Sequence, residues 1–95
     1  MTPARLSPRA RTDIEAIWDY TESRWGIPQA LRYVRLIQAA VEAIADNPSL
    51  GGTCDDIRKG YRRHRAGSHV IFYRVRDGVE IVRILHQRMD HGRHL

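Results

Sequence analysis

Apolar side chains in the first half of the chain recur at helical spacing. Ile14, Ile17, Trp18, Thr21 and Trp25 fall on one stripe, and Leu31, Val34, Ile37, Val41 and Ile44 on a second, with Ala30, Ala40 and Ala45 as small contacts beside it. The boundaries are marked. Ser7-Pro8 reads as an N-cap hydroxyl followed by a proline that has no N–H to leave unsatisfied. Gly26 can take the left-handed position that ends the first helix, and Pro28 starts the second after a two-residue break. Asn47-Pro48 stops the second helix. So short a break predicts an antiparallel helical hairpin. Ahead of it, Ala4-Arg5-Leu6-Ser7 predicts a short opening strand.

The pattern changes after residue 48. Residues 49–56 are polar and glycine-bearing and read as a loop. Tyr61–Arg65 predicts a strand, and Ala66-Gly67-Ser68 a tight turn. Then 69–76 and 79–90 are two runs of β-branched and aromatic residues joined by Asp77-Gly78, the pair that a two-residue type I′ turn demands. Residues 70–75 can be buried on both sides, which makes 69–76 the central strand and leaves 61–65 more exposed. The predicted order is β-α-α-β-β-β. Helices and strands segregated in this way imply an α+β fold, with the helical hairpin packed on one face of an antiparallel-rich sheet. No repeat or linker divides the 95 residues, so they make a single domain.

Charge sharpens this picture. Residues 1–57 hold six arginines against eight carboxylates, net −2, whereas residues 58–95 hold nine arginines and Lys59 against three carboxylates, net +7. One half of the chain therefore presents a cationic surface suited to an acidic partner, nucleic acid or a nucleoprotein machine. No apolar run reaches the roughly 20 residues of a membrane span. No export signal opens the chain, and the lone Cys54 fits a reducing compartment; the cytoplasm is the expected location.

Few residues offer chemistry. The densest basic cluster is Arg58-Lys59-Gly60-Tyr61-Arg62-Arg63-His64-Arg65, either a partner surface or a strand edge kept soluble by charge. His91 and His94 lack the supporting ligands a metal needs, and Gly51-Gly52 lacks the Lys and Ser/Thr of a phosphate loop. No metal and no cofactor is expected. No Ser-His-Asp set can be assigned. His86, at the end of the last strand, is the one candidate acid or base, beside Tyr73, Arg83 and Arg88. Trp18 and Trp25 read as core groups or interface anchors.

Leu6-Ser7-Pro8-Arg9-Ala10, Ile17-Trp18-Asp19-Tyr20-Thr21 with Arg24-Trp25-Gly26, Asp46-Asn47-Pro48, Gly67–Val75 and Val82–Asp90 together resemble the ParE toxins of type II toxin–antitoxin systems, within the RelE/ParE superfamily. The resemblance implies a small bacterial toxin neutralised by a ParD-like antitoxin. Members with a known target poison DNA gyrase, whereas RelE-like relatives are ribosome-dependent mRNA endoribonucleases. It implies an antitoxin segment, helix or added strand, laid between helical hairpin and sheet, with Trp18, Trp25, Arg58, Arg62, Arg65, Tyr73 and Arg74 as its contacts. The tail residues Arg88, Met89, Arg93 and His94 are where target contact is expected. A ribonuclease would draw on His86 as acid or base with Arg65, Tyr73 and Arg83. The favoured expectation is a non-enzymatic, gyrase-binding toxin with no specific DNA binding of its own.

Overall fold

The computed structural model describes residues 4–95. The chain runs through β1 (Arg5–Leu6), α1 (Pro8–Trp25), α2 (Ile27–Asp46), β2 (Gly52–Thr53), β3 (Arg62–Ala66), β4 (His69–Val75), β5 (Val79–His86) and α3 (His91–His94). The five strands form one sheet in the order β1-β5-β4-β3-β2, with β1 parallel to β5 and the other pairs antiparallel. The α+β architecture with a helical hairpin on one face is as the sequence implied.

Ser7 joins the first strand to the first helix. Its N–H donates to Ile81 O (2.9 Å) and its hydroxyl to Val82 O (2.7 Å), while the same oxygen accepts from Ala10 N (3.0 Å) to cap α1. That cap is why the opening strand is two residues long instead of the four expected. Between the helices the break is Gly26 alone, at φ 88, so α2 begins one residue before Pro28. A left-handed single-residue joint of this kind is open to glycine at no steric cost.

Two cores sandwich the sheet. On the helical side, Ala10 and Ile17 of α1 and Ile37 and Ile44 of α2 pack on Ile71, Tyr73, Val79, Ile81 and Ile84. On the other side, Cys54, Tyr61, Phe72 and Leu85 gather Ile57, Val70, Val82 and Leu95. Burying Phe72 there contributes about 2 kcal/mol. The cover over this second face, the 54–61 loop and α3, lies in segments the sequence left as irregular loop and tail.

Two details of the hairpin depart from expectation. Val75 stands opposite Val79, so the connection spans the three residues 76–78 instead of two, although Asp77 (φ 51) and Gly78 (φ 97) are both left-handed as that dipeptide predicts. Further along, Tyr73 faces Ile81 but Phe72 faces Arg83, which leaves Val82 as an extra residue in β5. A bulge of this kind re-aims side chains. Here it turns Val82 into the second core and lets Arg83 reach α1 and α3.

A candidate docking surface on both flanks of the first helix

The first feature is a groove between α1, α2 and β1. Leu6, Ile14, Val34, Ile37 and Val41 line a volume of about 650 Å³, and Glu42 and Asp46 stand on its α2 wall. It shares Ile14 and Val34 with a shallower hollow of about 350 Å³ lined also by Glu15, Trp18 and Asp19. The result is an elongated apolar trough with carboxylates on both helical walls. Trp18 belongs to it, with its indole N–H held by Glu22 (3.1 Å). Trp25 does not line the trough. It is 61% exposed at the joint between the helices, with its ring edge-on to Tyr20 at 6.2 Å.

On the sheet, alternation divides the basic cluster. Arg62 lies on the helical side, where its guanidinium donates to Gly51 O (2.6 Å). Arg63 and Arg65 stand opposite Phe72 and Val70 on the second face, and both are exposed. Arg74 lies across from Glu80 and is paired with it at 2.6 Å, a hydrogen bond that holds the guanidinium pKa above its usual value. Arg58 donates to Leu95 O (2.7 Å), tying the 54–61 loop to the chain's last residue. Arg65 donates Nε–H to Gly67 O (3.0 Å), so each of the four arginines expected to meet an antitoxin has an internal partner.

The second flank of α1 holds a separate pocket of about 380 Å³. Ala16, Ile17 and Tyr20 of α1 face Ile84, His69, His86 and Met89 across it. His69 and His86 are cross-strand partners, with rings edge-to-face at 5.3 Å. Ser68 N–H donates to Tyr33 Oη (2.9 Å), and the same hydroxyl shares a hydrogen bond with His69 Nδ1 (2.6 Å). Burial, reinforced by His86, lowers the His69 pKa to about 4. At the edge of this pocket Asp13 takes both Arg83 Nε (2.8 Å) and Nη2 (2.9 Å) and accepts Ile84 N–H (2.9 Å). Arg83 also donates to His94 O (3.0 Å), so one side chain binds α1 and α3 to the sheet, and its hydrogen bond to Asp13 raises its pKa.

The residues expected of a ribonuclease are not brought together. Tyr73 is 0% exposed on the helical side, where its hydroxyl accepts Gly51 N–H (2.8 Å) and donates to Pro48 O (2.7 Å). It is a core residue with no surface for a substrate or an antitoxin, which corrects both roles expected of it. Gly51 is required beside it, since a Cβ there would lie 2.7 Å from the Tyr73 hydroxyl. Arg83 is spent on Asp13, and Arg65, two strands from His86, stands with Val70 and Leu85 on the opposite face of the sheet. Of the tail residues, Met89 lines the pocket, while Arg88 and Arg93 are exposed; His94 gives its carbonyl to Arg83. Cys54 is buried, and burial pushes its thiol pKa up, in keeping with a packing role. Asp13, Tyr20, Tyr33 and His69 are the site residues the sequence did not single out, because the partners of three of them lie 36 to 71 positions away. Among the described residues no group of three or more His, Cys, Asp or Glu is placed to hold a metal, and no helix is long and apolar enough to cross a membrane.

Comparison with known proteins agrees with the geometry. Residues 4–91 match the family model described as the ParE toxin of type II toxin–antitoxin system, parDE. Toxin ParE1 of Caulobacter vibrioides is 52% identical over 95 residues, covering 100% of this chain and 99% of that protein. Toxin ParE1 of Mycobacterium tuberculosis is 51% identical over 92 residues, covering 95% and 94% respectively. A solved chain described as the chromosomal ParDE TA system from P. aeruginosa shares the fold at a TM-score of 0.79, with 22% identity over 90% of this chain and 96% of that one. The chain thus belongs to the ParE family of type II toxin–antitoxin toxins.

Proposed function

We propose that this toxin disables DNA gyrase in the cytoplasm by docking to it, without bond-breaking chemistry, and that a ParD-like antitoxin neutralises it. The observation that carries this reading is the scatter of the residues expected to do acid–base work with His86. General acid–base chemistry needs groups within hydrogen-bond reach of a common reacting atom. Tyr73 is sealed in the core, Arg83 is committed to Asp13 and Arg65 faces the other side of the sheet, so none of the three reaches His86, whose neighbour in the pocket is His69, held by Tyr33.

The antitoxin has two surfaces of opposite character to engage. The trough through Ile14, Trp18 and Val34 offers apolar area to a segment that folds as it binds. The sheet offers Arg65 on its second face and Arg62 on its helical side, and these, with Arg58 and Arg74, can exchange their internal partners for antitoxin carboxylates. A purified sample added in stoichiometric excess to a supercoiling reaction is expected to stop it, and adding the protein encoded by the adjacent reading frame is expected to restore it. An uninhibited reaction would remove gyrase as the target.

A further inference from the structure

We propose that the pocket between Tyr20, His86 and Met89, continued by Trp25, is the surface that grips the toxin's protein target, and that it takes one apolar side chain flanked by carboxylates. The proposal rests on the docking-toxin reading above and adds the place of contact. Three observations converge on it.

Composition is the first. Tyr20 is 55% exposed and Trp25 61%, the two rings meet edge-to-face, and Arg24 stacks over Tyr20 at 5.1 Å. Trp, Tyr and Arg are the residues that carry binding energy in protein interfaces. Nothing in the fold requires them outside: Tyr20 packs on no buried cluster, and large aromatic groups are normally buried.

Shape is the second. The trough on the other flank of α1 is long enough for a chain segment to lie in, whereas this pocket is a discrete hollow of about 380 Å³. It is built from a helix, two adjacent strands and the turn after β5 that carries Met89, so its walls are in place before anything binds. A preformed hollow of this size suits a side chain projecting from a folded surface.

Charge is the third. Among the described residues Arg24 and Arg88 have no carboxylate partner, and Asp13, the one acid lining the pocket, is neutralised by Arg83. Two exposed acids stand near them, Asp19 beside Tyr20 and Asp90 one residue beyond Met89, and neither is ion-paired with Arg24 or Arg88. No Arg or Lys lines the pocket itself. Phosphates would therefore find no counter-charge inside, which favours a protein anchor over a nucleotide. The His86 Nδ1 already accepts Arg88 N–H (3.1 Å), so its Nε2 is left to donate to a polar tip on the anchor.

The test uses the full chain with Tyr20→Ala, Trp25→Ala and Met89→Glu, and Leu36→Ala, which is exposed on α2, as control. Each is induced without antitoxin and scored for growth arrest, then purified with antitoxin for calorimetry and thermal melting. We expect the first three to need at least about tenfold more toxin for arrest, the scale of losing a hot-spot residue. Their melting curves and antitoxin affinities should match those of the unsubstituted toxin and of Leu36→Ala. Arrest at unchanged dose overturns the proposal, as does a wild-type toxin that arrests nothing. Equal loss of antitoxin affinity would make the antitoxin the occupant and overturn it too. So would binding of a single-stranded oligonucleotide that the same variants abolish. Wild-type arrest with unimpaired supercoiling would discard gyrase while leaving the pocket's role standing.

Discussion

Two polar residues packed in the fold, Tyr73 fully buried and His69 partly so, make single substitutions informative. Tyr73 is a large aromatic inside the core whose hydroxyl satisfies both an N–H and a carbonyl of the 48–51 loop. Tyr73→Phe keeps the ring and orphans both groups, which costs about 1–3 kcal/mol; a urea midpoint should fall with unchanged slope, and an unshifted midpoint would refute the assignment. His69 gives stability a pH dependence. Its pKa is about 4 when folded, below its ordinary 6.5. Between those values the unfolded chain binds more protons, so stability rises with pH through that window and is lost as pH falls from about 6.5 toward 4. His69→Gln should flatten this part of the melting-temperature profile, and an unchanged slope would place the titration elsewhere. Neither role was legible beforehand. In the sequence Tyr73 sits among strand residues beside arginines, and nothing local shows that its hydroxyl meets a loop 22 residues earlier.

At the scale of elements, the helices and strands followed from what lies within a turn of each residue: the Ser7 cap, the apolar stripes, the Asp77-Gly78 pair. What escaped were features fixed by pairing across the fold. The bulge at Val82 exists because β5 must serve β4 on one side and Ser7 and Asp13 on the other. Likewise β2 and α3 are too short to leave a periodic signal and are held by partners, β3 for one and Arg83 and Arg58 for the other. The Asp13–Arg83 link is the part to test. Asp13→Asn retains an oxygen for Ile84 N–H, whereas Asp13→Ala strips both that bond and the ion pair, leaving a largely buried guanidinium. The alanine variant should lose about 3 kcal/mol and the asparagine variant clearly less. Equal losses in chemical denaturation would mean that the backbone bond contributes nothing.

Across the whole molecule the unequal charge of the two halves becomes spatial. Carboxylates wall the apolar trough of the helical hairpin, and unpaired arginines stand on the second sheet face. A partner spanning both must carry complementary charge in two places, which is demanding enough to be selective. The reaction chemistry that sequence left open narrows for a geometric reason: residues neighbouring in a motif alternate across a sheet, so Arg83 and Tyr73 end on opposite faces. The docking mode of action proposed above is tested most directly by one reaction. Purified toxin, and separately its His86→Ala variant, is added to gyrase with relaxed plasmid and to ribosomes programmed with message. We expect both proteins to block supercoiling and trap cleaved plasmid while the message stays whole. Cutting of the message by the unsubstituted toxin, lost in His86→Ala, would contradict the account.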